Sequence, residues 1–212
     1  MTTKYLAADI PTATNTELTT LGGGRLYATK TAAGAVYING FPLTRADISA
    51  DNGVIHRING ILLPALGNLS QLAARDTSYS LLAAAVTRAA RSNAALGTAL
   101  TGTTPYTVFA PTNAAFRAAG FGSTSAIASA DSSKLASILG NHVLTGRVFG
   151  SDLKVGAVPT VGGNSITFAQ SGVGYTVAGS GNGSQAATIA ANNSVATNGV
   201  FYSIDRVLLS AP

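Results

Sequence analysis

The chain carries the same closing sequence twice, and that repetition restricts its possible folds more than any other feature. Asp51-Asn-Gly-Val-Ile-His-Arg-Ile-Asn-Gly-Ile-Leu-Leu-Pro64 aligns position for position with Thr197-Asn-Gly-Val-Phe-Tyr-Ser-Ile-Asp-Arg-Val-Leu-Leu-Ser210. Earlier in each copy, Leu21-Gly-Gly-Gly-Arg-Leu-Tyr-Ala-Thr-Lys-Thr31 resembles Val161-Gly-Gly-Asn-Ser-Ile-Thr-Phe-Ala-Gln-Ser171. Each begins with a glycine turn and continues with alternating apolar and polar residues, the pattern of a strand with one buried face. The Asn-Gly of the closing block is expected to supply a turn with φ > 0. The first 64 and last 64 residues therefore read as two copies of one strand assembly.

Between the copies the period changes from two to that of a helix, starting at Pro64. Asn68 or Ser70 caps a first short helix, Asp76 to Ser78 restart one, and Leu81, Leu82, Ala85, Val86 and Ala89 recur at helical spacing. Arg75, Arg88 and Arg91 fall on its wet side. Tyr106 to Ala110 reads as a buried strand stopped by Pro111-Thr-Asn113, which caps a short helix carrying Phe116. Asp131 or Ser132 caps a further helix that puts Leu135, Ile138, Leu139 and His142 on one face and ends near Gly146. From Val148 the chain returns to strand and turn. Helices, strand, helices and then antiparallel strands make an α+β order, complete in residues 65–212 and represented in residues 1–64 by its strands alone.

Composition closes off several functions. The 13 basic residues outnumber the 8 acidic ones but are scattered singly, so there is no basic stripe of the kind that supplies phosphate affinity in a nucleic-acid binder. Cysteine is absent, which removes disulfides, thiolate metal sites and a thiol nucleophile. No uncharged apolar run approaches the length of a membrane span, and the N-terminus lacks a charged segment followed by an apolar one. A leader for an exported chain would have been removed or lie upstream. Charged residues are only 10% of the chain, so its surface is solubilised by hydroxyls and amides, as suits a secreted protein.

Three blocks in order resemble the fasciclin (FAS1) domain family. Tyr106-Thr107-Val108-Phe109-Ala110-Pro111-Thr112-Asn113-Ala-Ala-Phe116 looks like its first signature, a strand that delivers Pro-Thr-Asn to a helix start. Asn141-His142-Val143-Leu144 is similar to its tyrosine-histidine box, with Asn in the place of Tyr. Asn198-Gly199-Val through Leu208-Leu209 is like its closing strand, with Asp205 near its end. The resemblance implies a wedge-shaped β-sandwich flanked by helices, complete over 65–212 and preceded over 1–64 by the C-terminal strand portion of a second copy, a natural tandem cut inside its upstream domain. It also implies a non-catalytic adhesion or interaction module, extracellular or at the cell surface (periplasmic or attached to the outer membrane in a bacterium), that binds protein or polysaccharide. No cofactor, metal or nucleic acid is expected.

Particular residues carry further expectations. His142 reads as a core residue whose ring bonds to the Pro111-Thr-Asn113 turn. In vertebrate relatives, integrin recognition is assigned to the tyrosine-histidine box and to an Asp-Ile pair ahead of the closing strand; here the box lacks its Tyr and the pair, Asp47-Ile48, stands in the first copy. Glycan recognition would need exposed aromatics, for which Tyr175, Phe201 and Tyr202 are candidates, and strand alternation would turn one of the last two outward. Asp131, Asp152 and Asp205 read as a cap, a turn residue and a partner for Arg206 or a backbone amide. Gly179-Ser-Gly-Asn-Gly183 reads as a flexible hairpin loop, since no helix follows it to make a phosphate cradle. With two His and no nucleophile motif, no catalytic constellation is found. The strands of residues 1–63 expose a whole inner face and should pack on the complete domain or on another molecule, with self-association through residues 1–64 as one form of the latter.

Overall fold

The computed structural model describes residues 1, 3–172 and 174–211, the side chain of residue 192 excepted. The chain divides into two compact units, one formed by Met1–Ala65 with Phe149–Asp152, the other by Leu66–Val148 with Leu153–Pro212.

The second unit is an α+β body. Its helices are α1 (Leu69–Arg75), α2 (Ser80–Ala89), α3 (Ala94–Thr101), α4 (Asn113–Ala118), α5 (Thr124–Ser129) and α6 (Ser132–Gly140). Their starts follow the capping residues in the sequence. Asn68 and Gln71 form a reciprocal capping box on α1, Thr112 caps α4 through the amide of Ala115, and Asp131 caps α6 through that of Lys134. The helix expected to run to Gly146 stops at Gly140, so His142 sits beyond it, just before a strand.

Among the described residues the strands, in chain order, are β1 (Thr16–Thr19), β2 (Arg25–Lys30), β3 (Val36–Ile38), β4 (Phe41–Ala50), β5 (Gly53–Ile58), β6 (Tyr106–Pro111), β7 (Val143–Thr145), β8 (Gly156–Pro159), β9 (Ser165–Ser171), β10 (Gly174–Gly179), β11 (Ala187–Ala196) and β12 (Gly199–Ile204). In the second unit they form a seven-stranded sheet in the order β7-β6-β12-β11-β10-β9-β8. β12 pairs in parallel with β6 on one side and antiparallel with β11 on the other.

That sheet folds over on itself. Phe109 of β6 and Phe168 of β9 belong to strands that are not neighbours, yet their ring centroids lie 5.4 Å apart. The helices cover the other face of β6 and β12, where Val108, Ala110 and Phe201 join Leu81, Leu82, Phe116, Leu135 and Leu139 in one core. A central strand with both faces covered buries both sets of alternating side chains. Phe201 and Tyr202 are accordingly both buried, contrary to the expectation that one faces outward. Phe201 meets Tyr79 edge to face, and Tyr202 stacks on Phe109 at 5.6 Å.

The first unit is an antiparallel meander, β1-β2-β3-β4-β5, around Ile10, Leu18, Ala28 and Val36. Four of its five strands have counterparts in the two alignments. β4 and β5 occupy the positions of β11 and β12 under the closing-block alignment, and β1 and β2 those of β8 and β9 under the earlier one. Within the described residues, this unit has no strand paired to the outer edge of β5 and no α-helix.

The Asn-Gly pairs do not make the expected φ > 0 turn: neither Gly53 nor Gly199 has positive φ. The hairpin turn of that kind is Asn39-Gly40 between β3 and β4, with φ of 50° and 84°. Gly199 is required for a different reason. A Cβ there would collide with the carbonyl of Tyr106 in β6 and with Leu69 of α1, whereas a Cβ on Gly53 would meet nothing within 4 Å. Gly199→Ala is therefore expected to destabilise the second unit by about 2 kcal/mol, the usual scale of overpacking, and Gly53→Ala to be neutral or slightly stabilising. Urea titration of the far-UV helix signal, which comes from the second unit, checks the first, and urea titration followed by the amide NMR signals of β4 and β5 checks the second.

Candidate functional site

The family-like blocks converge on the base of β12 and the segment after it. Thr107 is buried; its hydroxyl donates to the Gly146 carbonyl and accepts from the Val148 amide, both at 2.8 Å. Val108, Phe109, Ala110 and Phe116 are core. Asn113 Oδ1 accepts from the Leu81 amide at 3.0 Å while its Nδ2 donates to the Thr77 carbonyl at 2.8 Å and to Ser80 Oγ at 3.0 Å. The Pro-Thr-Asn turn thus anchors the start of α2 as well as that of α4.

His142 does not bond to that turn, contrary to expectation. The Leu208 amide donates to its Nε2 at 2.9 Å, so the proton sits on Nδ1, which donates to the Ile138 carbonyl at 2.8 Å. Its neighbour Asn141, also buried, donates from Nδ2 to the Leu208 carbonyl at 3.2 Å and accepts from Asn164 Nδ2 at 3.1 Å. Adjacent side chains thus hold the amide and the carbonyl of one residue. The geometric reason for the correction is chain direction: once α6 ends at Gly140, the ring faces the segment beyond β12.

Asn182 completes the clamp. Its Oδ1 accepts from the Gly179 and Leu209 amides at 2.9 Å, and its Nδ2 donates to the Val207 carbonyl at 2.9 Å. The segment expected to be a flexible loop is a 3-10 turn over Ser180–Asn182 that grips residues 207–209. Sequence reasoning names Asn141 and Asn182 without their clamping roles and misses Arg147. The Arg147 guanidinium donates to the carbonyls of Ala196, Thr197 and Gly199 at 3.0, 2.6 and 2.7 Å, the signature of a cation serving a turn's bare acceptors. Asn198 is buried, with Oδ1 accepting from the Leu69 amide at 2.9 Å and Nδ2 donating to the Leu100 carbonyl at 3.1 Å. One amide side chain thereby joins the N-terminus of α1 to the C-terminal end of α3.

The remaining candidates make other contacts. Asp205 Oδ1 accepts from the Thr188 amide at 2.7 Å, and Arg206 pairs with Gln185 Oε1 instead of with Asp205. Asp152 caps its own 3-10 turn at the Phe149 amide. Tyr175 is half-buried with its hydroxyl on the Leu153 carbonyl at 3.0 Å, and Tyr202 is buried, so neither offers an open stacking platform for a sugar. In the first unit, Asp47 adopts φ 54°, accepts from the Ala7 amide at 3.0 Å and lies 3.8 Å from His56 Nδ1. Ile48 is half-buried opposite Ile55. The Asp47-Ile48 pair is thus engaged within its own unit. Among the described residues no cluster of three or more His, Cys, Asp or Glu could hold a metal ion, and no helix is long and apolar enough to cross a membrane.

Two motif-bearing strands, six helices and a clamped closing segment define a fasciclin-type α+β body, and the chain belongs to the fasciclin domain family. The family's sequence profile matches residues 1–64 and again residues 78–210. Transforming growth factor-beta-induced protein ig-h3 of Sus scrofa is 30% identical over 178 residues, 83% of this chain and 24% of the relative. Protein sll1483 of Synechocystis is 34% identical over 140 residues, 66% of this chain and 71% of the relative. A solved FAS1 domain pair from the insect cell adhesion molecule Fasciclin I matches 92% of this chain and 71% of its own, with a TM-score of 0.55 at 19% identity. The chain thus spans about a quarter of the length of the ig-h3 relative. The family is one of modules associated with cell adhesion.

Burial holds the pKa of His142 down to about 4 from its ordinary 6.5, with the Ile138 carbonyl pulling weakly upward. A depressed histidine stabilises the fold fully above pH 6.5 and loses that contribution as the pH falls towards 4, because the unfolded chain takes up the proton first. The loss is on the order of 3 kcal/mol. Urea midpoints measured across this window should fall less steeply for His142→Gln than for the native chain. Equal slopes would contradict the assignment.

Proposed function

We propose that this chain is a non-catalytic interaction module, working outside the cell or at its surface, and that residues 1–212 on their own engage protein through the uncovered side of their first unit. One observation carries this reading. Ile55, Ile61 and Leu63 are 58%, 78% and 70% exposed. At the aligned positions of the second unit, Phe201 and Val207 are buried and Leu209 packs on the helix-covered core. The same apolar pattern is therefore buried in one unit and bare in the other, next to a β5 edge that lacks the partner β12 finds in β6.

An open strand edge with an apolar face beside it is a template for pairing with another chain. The occupant proposed is a second copy, adding β5 to β5 and covering Ile55, Ile61 and Leu63 of each with those of the other. Such a contact is isologous and closes as a dimer. A glycan-binding reading finds less support, since the aromatics that would stack on sugar are buried or half-buried. A spacer role predicts no association at all.

Sedimentation velocity of the native chain should show a concentration-dependent dimer, and the double substitution Ile55→Lys, Ile61→Lys should remain monomeric with an unchanged circular dichroism spectrum. A native chain that stays monomeric to its solubility limit, or a variant that dimerises equally well, would refute the proposed surface.

A further inference from the structure

The helical layer of the second unit is incompletely filled. A cavity of about 220 Å³ lies among α1, α2 and α3 above the face of β6 and β12, reaching inward to Phe201 and His142. Close-packed interiors leave few spaces of this size. Its origin is in the sequence: Ala73 and Ala83 stand on α1 and α2 where a longer side chain would occupy the space. Its mouth is open, since Ala74 and Thr87 are exposed.

The polar groups around it are almost all committed. Thr87 Oγ1 donates to the Ala83 carbonyl at 2.9 Å within its own helix. Both ring nitrogens of His142 are taken by Ile138 and Leu208, and the ring is uncharged at neutral pH. Among the described residues no Asp, Glu, Lys or Arg lines the cavity, so none of them would compensate a desolvated charge there. The half-buried Ser70 hydroxyl is left over, able to meet one polar group of a guest.

We propose that this cavity is a binding site for a small uncharged hydrocarbon-type molecule carrying at most one polar group, which Ser70 would meet. Size fixes the class further. An apolar cavity of about 150 Å³ admits benzene, so this one matches a fused two-ring or similarly bulky aliphatic group. The site is independent of the β5 surface, and its walls are side chains of the second unit alone.

Naphthalene is the probe, with naphthalene-1-sulfonate as its charged counterpart, and the full chain is the receptor. Saturation-transfer NMR and the thermal midpoint should both report naphthalene binding, and the sulfonate should bind at least about tenfold more weakly, as expected for a site that cannot compensate its charge. Ala83→Leu fills the space and should cost naphthalene about tenfold or more in affinity while leaving the fold intact. Ala73→Val serves the same purpose from α1 should the first variant fail to fold. The Ile55→Lys, Ile61→Lys variant should bind naphthalene as the native chain does, which separates the cavity from adsorption to the bare face of the first unit. Absence of naphthalene binding, undiminished binding in the folded filled variants, equal binding of the sulfonate, or loss of binding in the first-unit variant would each overturn the proposal.

Discussion

The close approach of β6 to the start of β12 is the contact on which the second unit depends. Gly199 has no Cβ, so the Tyr106 carbonyl and Leu69 occupy the space a side chain would need. Parallel pairing then runs from Gly199–Tyr106 to Ile204–Pro111 and makes β12 a central strand. Only a central strand in a folded-over sheet can bury Phe201 under the helices and Tyr202 against Phe109 at once. The polar side chains at its two ends serve that position. Asn198 ties its entry to α1 and α3, while Asn141, His142 and Asn182 hold residues 207–209 by their backbone groups. Buried amide and imidazole groups with all their partners satisfied specify one arrangement and penalise others, because each leaves an unpaired donor or acceptor if the segment shifts.

The first unit is a natural control for this account. Its β4 and β5 reproduce the lengths of β11 and β12, so the local sequence is sufficient for the hairpin. Without a counterpart of β6 among the described residues, the glycine at position 53 is crowded by nothing, Asn52 is exposed, and Ile55, Ile61 and Leu63 of the closing block lie open to solvent. What a residue does in this chain is therefore set by whether a helical layer lies over it. That layer is itself loosely filled, since its alanines pack α1 and α2 without closing the space between them.

Much of the architecture is legible in the sequence because it rests on local signals. Alternation marks the strands, Asn68, Thr112 and Asp131 mark helix starts, and Tyr106–Phe116 marks the family resemblance. The failures have a common physical origin in long-range geometry. Alternation predicted one outward residue in β12 because it cannot see a sheet folding over to cover the second face. The Asn-Gly pair has the composition of a turn, whereas Gly199 serves close approach between strands distant in sequence. The spacing of His142 points to the Pro-Thr-Asn turn, but its partner Leu208 lies 66 residues away. Asn182 hid in a Gly-Ser run whose composition suggests flexibility and whose side-chain bonds give order. The candidate partner-binding residues were chosen by motif, and of these Asp47 and Tyr202 are occupied within their own units.

Residue-resolved amide hydrogen exchange on the dilute monomeric chain compares the two aligned strands directly. β12 is bonded on both sides and β5 on one, so the account predicts strong protection along the whole of Gly199–Ile204. In Gly53–Ile58, protection is predicted only for the amides that face β4, and fast exchange for those on the open edge. Uniform protection along β5 comparable to that of β12 would contradict the claim that the presence of β6 and the helical layer is what distinguishes the two copies.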